Sequence, residues 1–325
     1  MIWSTQHNAG ELERLPGGIA RLDPAVFLAQ QPAVHIVGID GGALRARCSL
    51  WVGSAQAEGC RLSGVIGHMA MADAEAGVEL LAEACGQLRG LGCDLAIGPM
   101  DGNTWRNYRA VTQRGDEPPF FLEPDTPDFV AEALERSGFA VLANYYSALV
   151  PDLAGADPRM PAVAQRLGAA GVVIRAIRVE DFAVEARAIF ELSLESFRHN
   201  YLYTPLAEAE FVASYQKIKP YVRPEFCLLA EQAGRLVGFV FCVPDMLAAQ
   251  RGRPGETLIV KTLAVLPERL YAGLGGLLVE RAQHAAHAAG YRRAIHALMH
   301  EANKSRNIRG HGPMIRRYTL FAKPL

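Results

Sequence analysis

Residues 257–266 read TLIVKTLAVL, and residues 273–276 read GLGG. The first stretch is a continuous apolar, β-branched run, the pattern of a buried strand. The second opens an Ala- and Leu-rich run through Leu277, Leu278, Ala282, Ala285 and Ala289, which predicts a helix from about Gly273. A glycine turn at the start of a helix presents unpaired backbone N–H groups at the positive end of the helix dipole. That arrangement suits a phosphate or pyrophosphate, and glycine lets the anion approach closely.

Working outward, the chain repeats this plan once. Val34 to Trp51 reads as two strands around Asp40-Gly41-Gly42, and Phe226 to Val243 as two strands around Gln232-Ala233-Gly234. Strands over Leu62 to Met71 and Leu258 to Val265 follow. Each precedes a helix, about Ala76 to Leu91 and Gly273 to Ala289, ending at Gly92 and Gly290. Ala96-Ile97-Gly98-Pro99-Met100 leads to Asn103-Thr104-Trp105-Arg106-Asn107-Tyr108-Arg109; Ile295-His296-Ala297-Leu298-Met299 leads to Asn303-Lys304-Ser305-Arg306-Asn307-Ile308-Arg309. Each half closes with an aromatic strand, Phe139 to Leu149 and Met314 to Phe321. The preserved order marks a diverged duplication.

The copies differ in two ways. The C-terminal half has an additional front section: a strand over Val172 to Val179 and helices over Asp181 to Phe197 and Ala207 to Lys219. The N-terminal half has Asp73-Ala74-Glu75-Ala76-Gly77 in place of the glycine turn. Carboxylates there repel a phosphate, so this copy is expected to bind none. The alternation of strands and helices in both copies points to an α/β (α+β) chain of two units. The expected divisions are 1–155 for the unit without a glycine turn, 156–171 for a linker and 172–325 for the anion-binding unit. Pro161 to Leu167 suggests a short helical turn within the linker.

The composition sets limits. The chain has 325 residues, half of them apolar, and a formal net charge of −1, which gives no electrostatic case for nucleic acid or an anionic membrane. No run is long enough to span a bilayer, and Met1 to Arg14 lacks a signal-like apolar stretch. The six cysteines show no zinc spacing and imply no disulfide framework, so reduced thiols in a cytoplasmic protein are expected, with no metal.

On these residues the C-terminal half, about Val172 to Leu325, resembles the GNAT superfamily of acetyl-CoA-dependent N-acetyltransferases, and the whole chain resembles a tandem member with a degenerate first copy. The resemblance implies for each unit a mixed, mostly antiparallel sheet flanked by helices. The family signature is Arg or Gln, two residues, Gly, one residue, then Gly or Ala. Here Leu270-Tyr271-Ala272-Gly273-Leu274-Gly275 keeps the glycine spacing, with Leu270 in the leading position and Arg269 one place earlier. The preceding Leu263-Ala264-Val265-Leu266-Pro267 and the order of elements strengthen the likeness.

The resemblance implies acetyl-CoA as cosubstrate. Its pyrophosphate would sit on the amides of Tyr271, Ala272, Gly273, Leu274, Gly275 and Gly276, and its pantetheine along Leu263, Ala264 and Val265, with Asn303 near it or acting as an ordinary N-cap. It also implies direct attack by an amine on the thioester, with a proton acceptor and a donor to the developing oxyanion, such as an N–H near Val265. The Tyr that many members carry seven residues after the Asn is Gly310 here. Tyr318, Glu301 and His300 are the catalytic candidates, with His311 a further substitute for the acid; each also has a plain reading as a packed or solvated residue. Asn200, Tyr201 and Tyr203 are the acceptor-binding candidates. Trp105, Arg106, Tyr108 and Arg109 either border the same cleft or form the interface between halves, and the interface is preferred.

The expected activity is N-acetyl transfer to a primary amine, on a small molecule or exposed on a protein, by a monomer or homodimer. The alternative is a non-catalytic acyl-CoA-binding sensor.

Overall fold

The computed structural model describes residues 1–6, 16–253, 255–302 and 312–325. The first half contains β1 (Ile2–Gln6), α1 (Pro24–Gln30), β2 (Val34–Asp40), β3 (Ala43–Val52), β4 (Ser63–Met71), α2 (Ala74–Gly90), β5 (Leu95–Gly98), β6 (Ala110–Gln113), α3 (Asp128–Arg136) and β7 (Ala140–Val150). Helix α4 (Met160–Ala169) connects to the second half. There follow β8 (Val173–Ala176), α5 (Phe182–Phe197), α6 (Glu208–Ile218), β9 (Leu228–Gln232), β10 (Arg235–Pro244), α7 (Met246–Gln250), β11 (Thr257–Val265), α8 (Leu274–Ala288), β12 (Arg293–His300) and β13 (Met314–Pro324).

The hairpins, the long strands and the helices that follow them lie where the repeat places them. The linker turn is a full helix. Its residues Met160 and Leu167 are buried, and tertiary packing against α8 extends what the short apolar run suggests. Before Val34, where the sequence leaves little room for a front section, β1 pairs antiparallel with β2 and α1 supplies one short helix.

One sheet of thirteen strands runs through the molecule in the order β1-β2-β3-β4-β5-β13-β7-β12-β11-β10-β9-β8, with β6 alongside β13. Most neighbours are antiparallel; β4–β5 and β11–β12 are parallel. The closing strands are exchanged between the halves. β7, from the first half, pairs with β12, and β13, the last strand of the chain, pairs with β5. The two then pair with each other from Met314↔Ala148 to Ala322↔Ala140.

This exchange joins the cores. One cluster lies under α5 and α8 and includes Phe182, Ile189, Phe239, Phe241, Leu274 and Leu278. A second lies under α2 and α3, around Leu80, Leu81, Leu88 and Leu134. A third fills the junction with Met100, Val111, Tyr145, Leu202, Tyr318 and Leu320. The loop Arg114–Asp125 of the first half reaches across this junction. Phe120 is buried in the second half's core, and the Phe121 N–H donates to Asp245 at 2.9 Å.

Candidate active site

Helix α8 begins at Gly273, whose φ of +84° suits glycine, and its first intrahelical bond runs from the Leu277 N–H to the Gly273 carbonyl. The N–H groups of Gly273, Leu274, Gly275 and Gly276 thus precede the helical ladder, and no side chain caps them. Tyr271 and Ala272 are bonded differently. Their N–H groups donate to the carbonyls of Glu268 and Arg269 in a single 3₁₀ turn. Ala272 and Gly273 are exposed.

The glycines also answer to packing. A Cβ on Gly273 would press on Val163 of α4 at 3.1 Å, and one on Gly276 would meet Met160 at 3.5 Å. Arg166 of α4 donates to the Leu270 carbonyl at 2.7 Å and to the Ala272 carbonyl. The linker helix therefore brings a guanidinium to the turn whose leading position holds Leu270.

Strands β11 and β12 pair in parallel from Thr257↔Arg293 to Val260↔His296. Beyond that point they part. β11 stays with β10 through Val265↔Gly238, while β12 bulges and follows β7 through His300↔Tyr145. At the bulge Leu298 has φ of +62°; its N–H donates to Ser147 Oγ at 3.1 Å and its carbonyl accepts from Arg109 at 3.1 Å. Leu263 and Val265 are half-buried on the open side of this fork, and Ala264 is buried. An open strand edge leading to unpaired amides at a helix start fits an extended amide-containing arm ending in a diphosphate.

Lys261 stands at the base of the fork, one residue past the last β11–β12 pair. It is half-buried, and its Nζ donates to the Leu122 carbonyl at 2.9 Å. Burial first, and then the Arg109 cation, lower its pKa to about 8, while Glu123 acts in the opposite sense. Arg109 itself lies between the rings of Tyr108 and Tyr145, at 3.8 and 3.9 Å from their centroids. Sequence reasoning passed over Lys261, although a single charge inside an apolar strand was its visible signal.

The Tyr318 side chain is fully buried on β13. Its hydroxyl donates to Glu123 and shares a 3.1 Å hydrogen bond with Ser147, and burial followed by the Glu123 charge raises its pKa. Glu123 is equally buried and accepts from Arg316 at 2.7 Å. Glu301 pairs with Arg317. His300 meets Tyr145 edge-on at 4.9 Å and lies 6.2 Å from Tyr201. Its Nδ1 accepts the Ala302 N–H, and burial, with Arg109 next, lowers its pKa. The structure therefore brings His300 and Tyr201 together. Tyr318 lies behind them in the sheet junction. Asn303, Gly310 and His311 lie outside the described residues.

In the acceptor segment, the Asn200 N–H donates to the Phe197 carbonyl and the Tyr203 N–H to the Asn200 carbonyl, which folds the loop on itself. Tyr203, Phe197 and Phe211 surround Trp105 at 5.6 to 5.9 Å, and the Trp105 indole donates to the Thr204 carbonyl. Arg106 forms a two-pronged pair with Glu210 at 2.6 and 2.9 Å. The cluster Trp105 to Arg109 thus joins the halves, and through Arg109 it also touches the fork. Among the described residues no group of three His, Cys, Asp or Glu side chains could hold a metal ion, and the six cysteines are free thiols.

Comparison with known proteins agrees with this geometry. The acetyltransferase (GNAT) family model matches residues 186–308. A curated relative, the bacterial ceramide synthase of Caulobacter vibrioides (strain NA1000 / CB15N), is 24% identical over 200 residues, 61% of this chain and 52% of the relative, so the chain spans about half the length of the curated relative it matches. A GCN5-related N-acetyltransferase from Anabaena variabilis superposes with a TM-score of 0.55 at 8% identity, covering 99% of this chain and 73% of its own. The GCN5-related glucosamine N-acetyltransferase region of a fungal multi-domain β-N-acetylglucosaminidase gives a TM-score of 0.53 at 14% identity, over 96% of this chain and 34% of that one. At these identities the superpositions establish the fold. The sequence match adds that residues 186–308 are similar to the acetyltransferase (GNAT) family, and the superpositions extend the likeness in fold to nearly the whole chain.

Proposed function

We propose that the protein is an acyl-CoA-dependent N-acyltransferase, with acetyl-CoA as donor and a primary amine as acceptor. The single observation that carries this reading is the continuity of the β11–β12 fork with the uncapped amides of Gly273 to Gly276. In this reading residues 172–325 form the acyl-CoA-binding unit, residues 1–155 form a unit without a cradle, and residues 156–171 link them. The bound coenzyme supplies an activated acyl thioester. The four amides and Arg166 hold its diphosphate, and Leu263 to Val265 present a strand edge to the amides of its arm. The walls that Tyr201, His300 and Tyr145 share orient an amine toward the fork. The buried Tyr318–Glu123–Arg316 group holds the junction rigid behind it.

The ceramide synthase relative favours a second reading of the acceptor and the acyl group, in which both carry long chains. The aromatic wall of Trp105, Phe197, Tyr203 and Phe211 is compatible with an apolar chain. No described helix is long and apolar enough to cross a membrane.

The test is calorimetry with coenzyme A, followed by thiol release from acetyl-CoA and from a long-chain acyl-CoA with an amine panel: an amino sugar, a polyamine, a lysine peptide and a long-chain amino alcohol. Binding with amine-dependent release is expected. Binding without release from either donor supports a sensor, and no binding removes the reading altogether.

A further inference from the structure

Resting on the acyltransferase reading, we propose that Lys261 is the proton carrier of the reaction, taking a proton from the attacking amine and passing it to the departing thiol sulfur. Lys261 stands where the fork opens, four residues before Val265, or about 13 Å along the strand at ~3.3 Å per residue. A diphosphate on α8 and an arm along Leu263 to Val265 direct the reactive end of the arm toward this base.

The other candidates are engaged: Tyr318 with Glu123 and Ser147, Glu301 with Arg317, and His300 Nδ1 with the Ala302 N–H. Lys261 is half-buried and donates to one carbonyl, that of Leu122, whose φ of +65° shows a loop held in an unusual shape. Among the described residues no carboxylate pairs with it. The charged groups facing it are Arg109, which disfavours its protonation, and Glu123, whose charge Arg316 already offsets. A lysine that gives up its proton near neutral pH is matched to general base work.

Aligning the first parallel pairs, Ser63↔Leu95 and Thr257↔Arg293, sets Lys261 opposite Gly67. A Cβ on Gly67 would strike the Met100 carbonyl. The half without a cradle cannot accommodate a side chain where the half with one places an amine.

The step balances. A nitrogen–carbon bond forms as the carbon–sulfur bond breaks. The proton leaving nitrogen goes to neutral Lys261 Nζ and then to sulfur, giving an amide and a free thiol and returning a neutral lysine.

The experiment has two readouts. In the wild-type protein, trace labelling of amines by acetic anhydride across pH ~6 to ~10, read by peptide mass spectrometry, should give Lys261 a midpoint near 8, below the ordinary lysine range, with protection by coenzyme A. An ordinary lysine midpoint for Lys261 would overturn the proposal. Second, Lys261→Arg and Lys261→Met should keep coenzyme A binding and cooperative melting but lose roughly a hundredfold or more in thiol release. The rising limb of the wild-type pH profile, centred near 8, should vanish in any residual activity. A variant that melts normally and retains both rate and limb overturns this inference alone. A wild-type protein that neither binds coenzyme A nor releases thiol overturns the acyltransferase reading, and this inference with it.

Discussion

The two halves follow one plan and differ where ligand chemistry would occur. In the first half the helix after the long strand starts at Asp73. Its carboxylate accepts the Ala76 N–H at 2.9 Å and pairs with Arg45. The equivalent start in the second half is Gly273, which leaves its amides uncapped. The forks differ in the same sense. Past Val65↔Ile97 the first half stays closed: the Met100 N–H donates to the Ile66 carbonyl at 2.8 Å, and the His68 N–H to the Asp101 carboxylate at 2.6 Å. Past Val260↔His296 the second half opens. One copy carries its own anion and its own filling; the other leaves both places open. On the proposed function, a duplicated fold retains a structural copy by satisfying internally each group that the ligand-binding copy leaves open.

The largest expected effect breaks the comparison at its base. If the halves were independent, residues 156–325 would fold alone. But β12 and β13 both take β7 as partner, and β13 also takes β5. The isolated fragment should show no cooperative thermal transition, whereas co-expression with residues 1–155 should restore one. Next, Gly67→Lys copies the second half's side chain into the closed fork. The collision with Met100 should destabilise the protein by about 1–3 kcal/mol, read as a shifted denaturant midpoint.

Ala272→Asp moves the first half's anion to the exposed rim of the cradle. It should weaken coenzyme A binding about tenfold, equivalent to ~1.4 kcal/mol, with the melting temperature unchanged. Equal affinity would show that the diphosphate does not lie there. The smallest effect is that of Arg166→Ala. Losing the cation that its bonds to the Leu270 and Ala272 carbonyls hold beside the turn should cost about 0.5–1.5 kcal/mol of affinity, read by calorimetry, and the loss should shrink as salt screens its attraction for the diphosphate.

Local pattern was enough to show the repeat, the order of strands and helices, and the uncapped glycine turn. Strand alternation, turn residues and helix periodicity act within a few residues, so each remains visible in the linear chain. Asp73 in place of glycine was legible for the same reason. The exchange of β7 and β13 was not. β13 pairs with β5 across more than two hundred residues, and an aromatic strand carries no mark of which sheet it will complete. Nor was the surrounding of Lys261: burial first and then Arg109 lower its pKa while Glu123 opposes them, and both charges are brought to it from the other half. The cation at the glycine turn likewise comes from Arg166 on the linker helix, a position the family pattern around Leu270 does not indicate. Local sequence set the elements; long-range pairing decided which charges met, because a charge acts on whatever the fold places within a few ångströms of it, however distant in the chain.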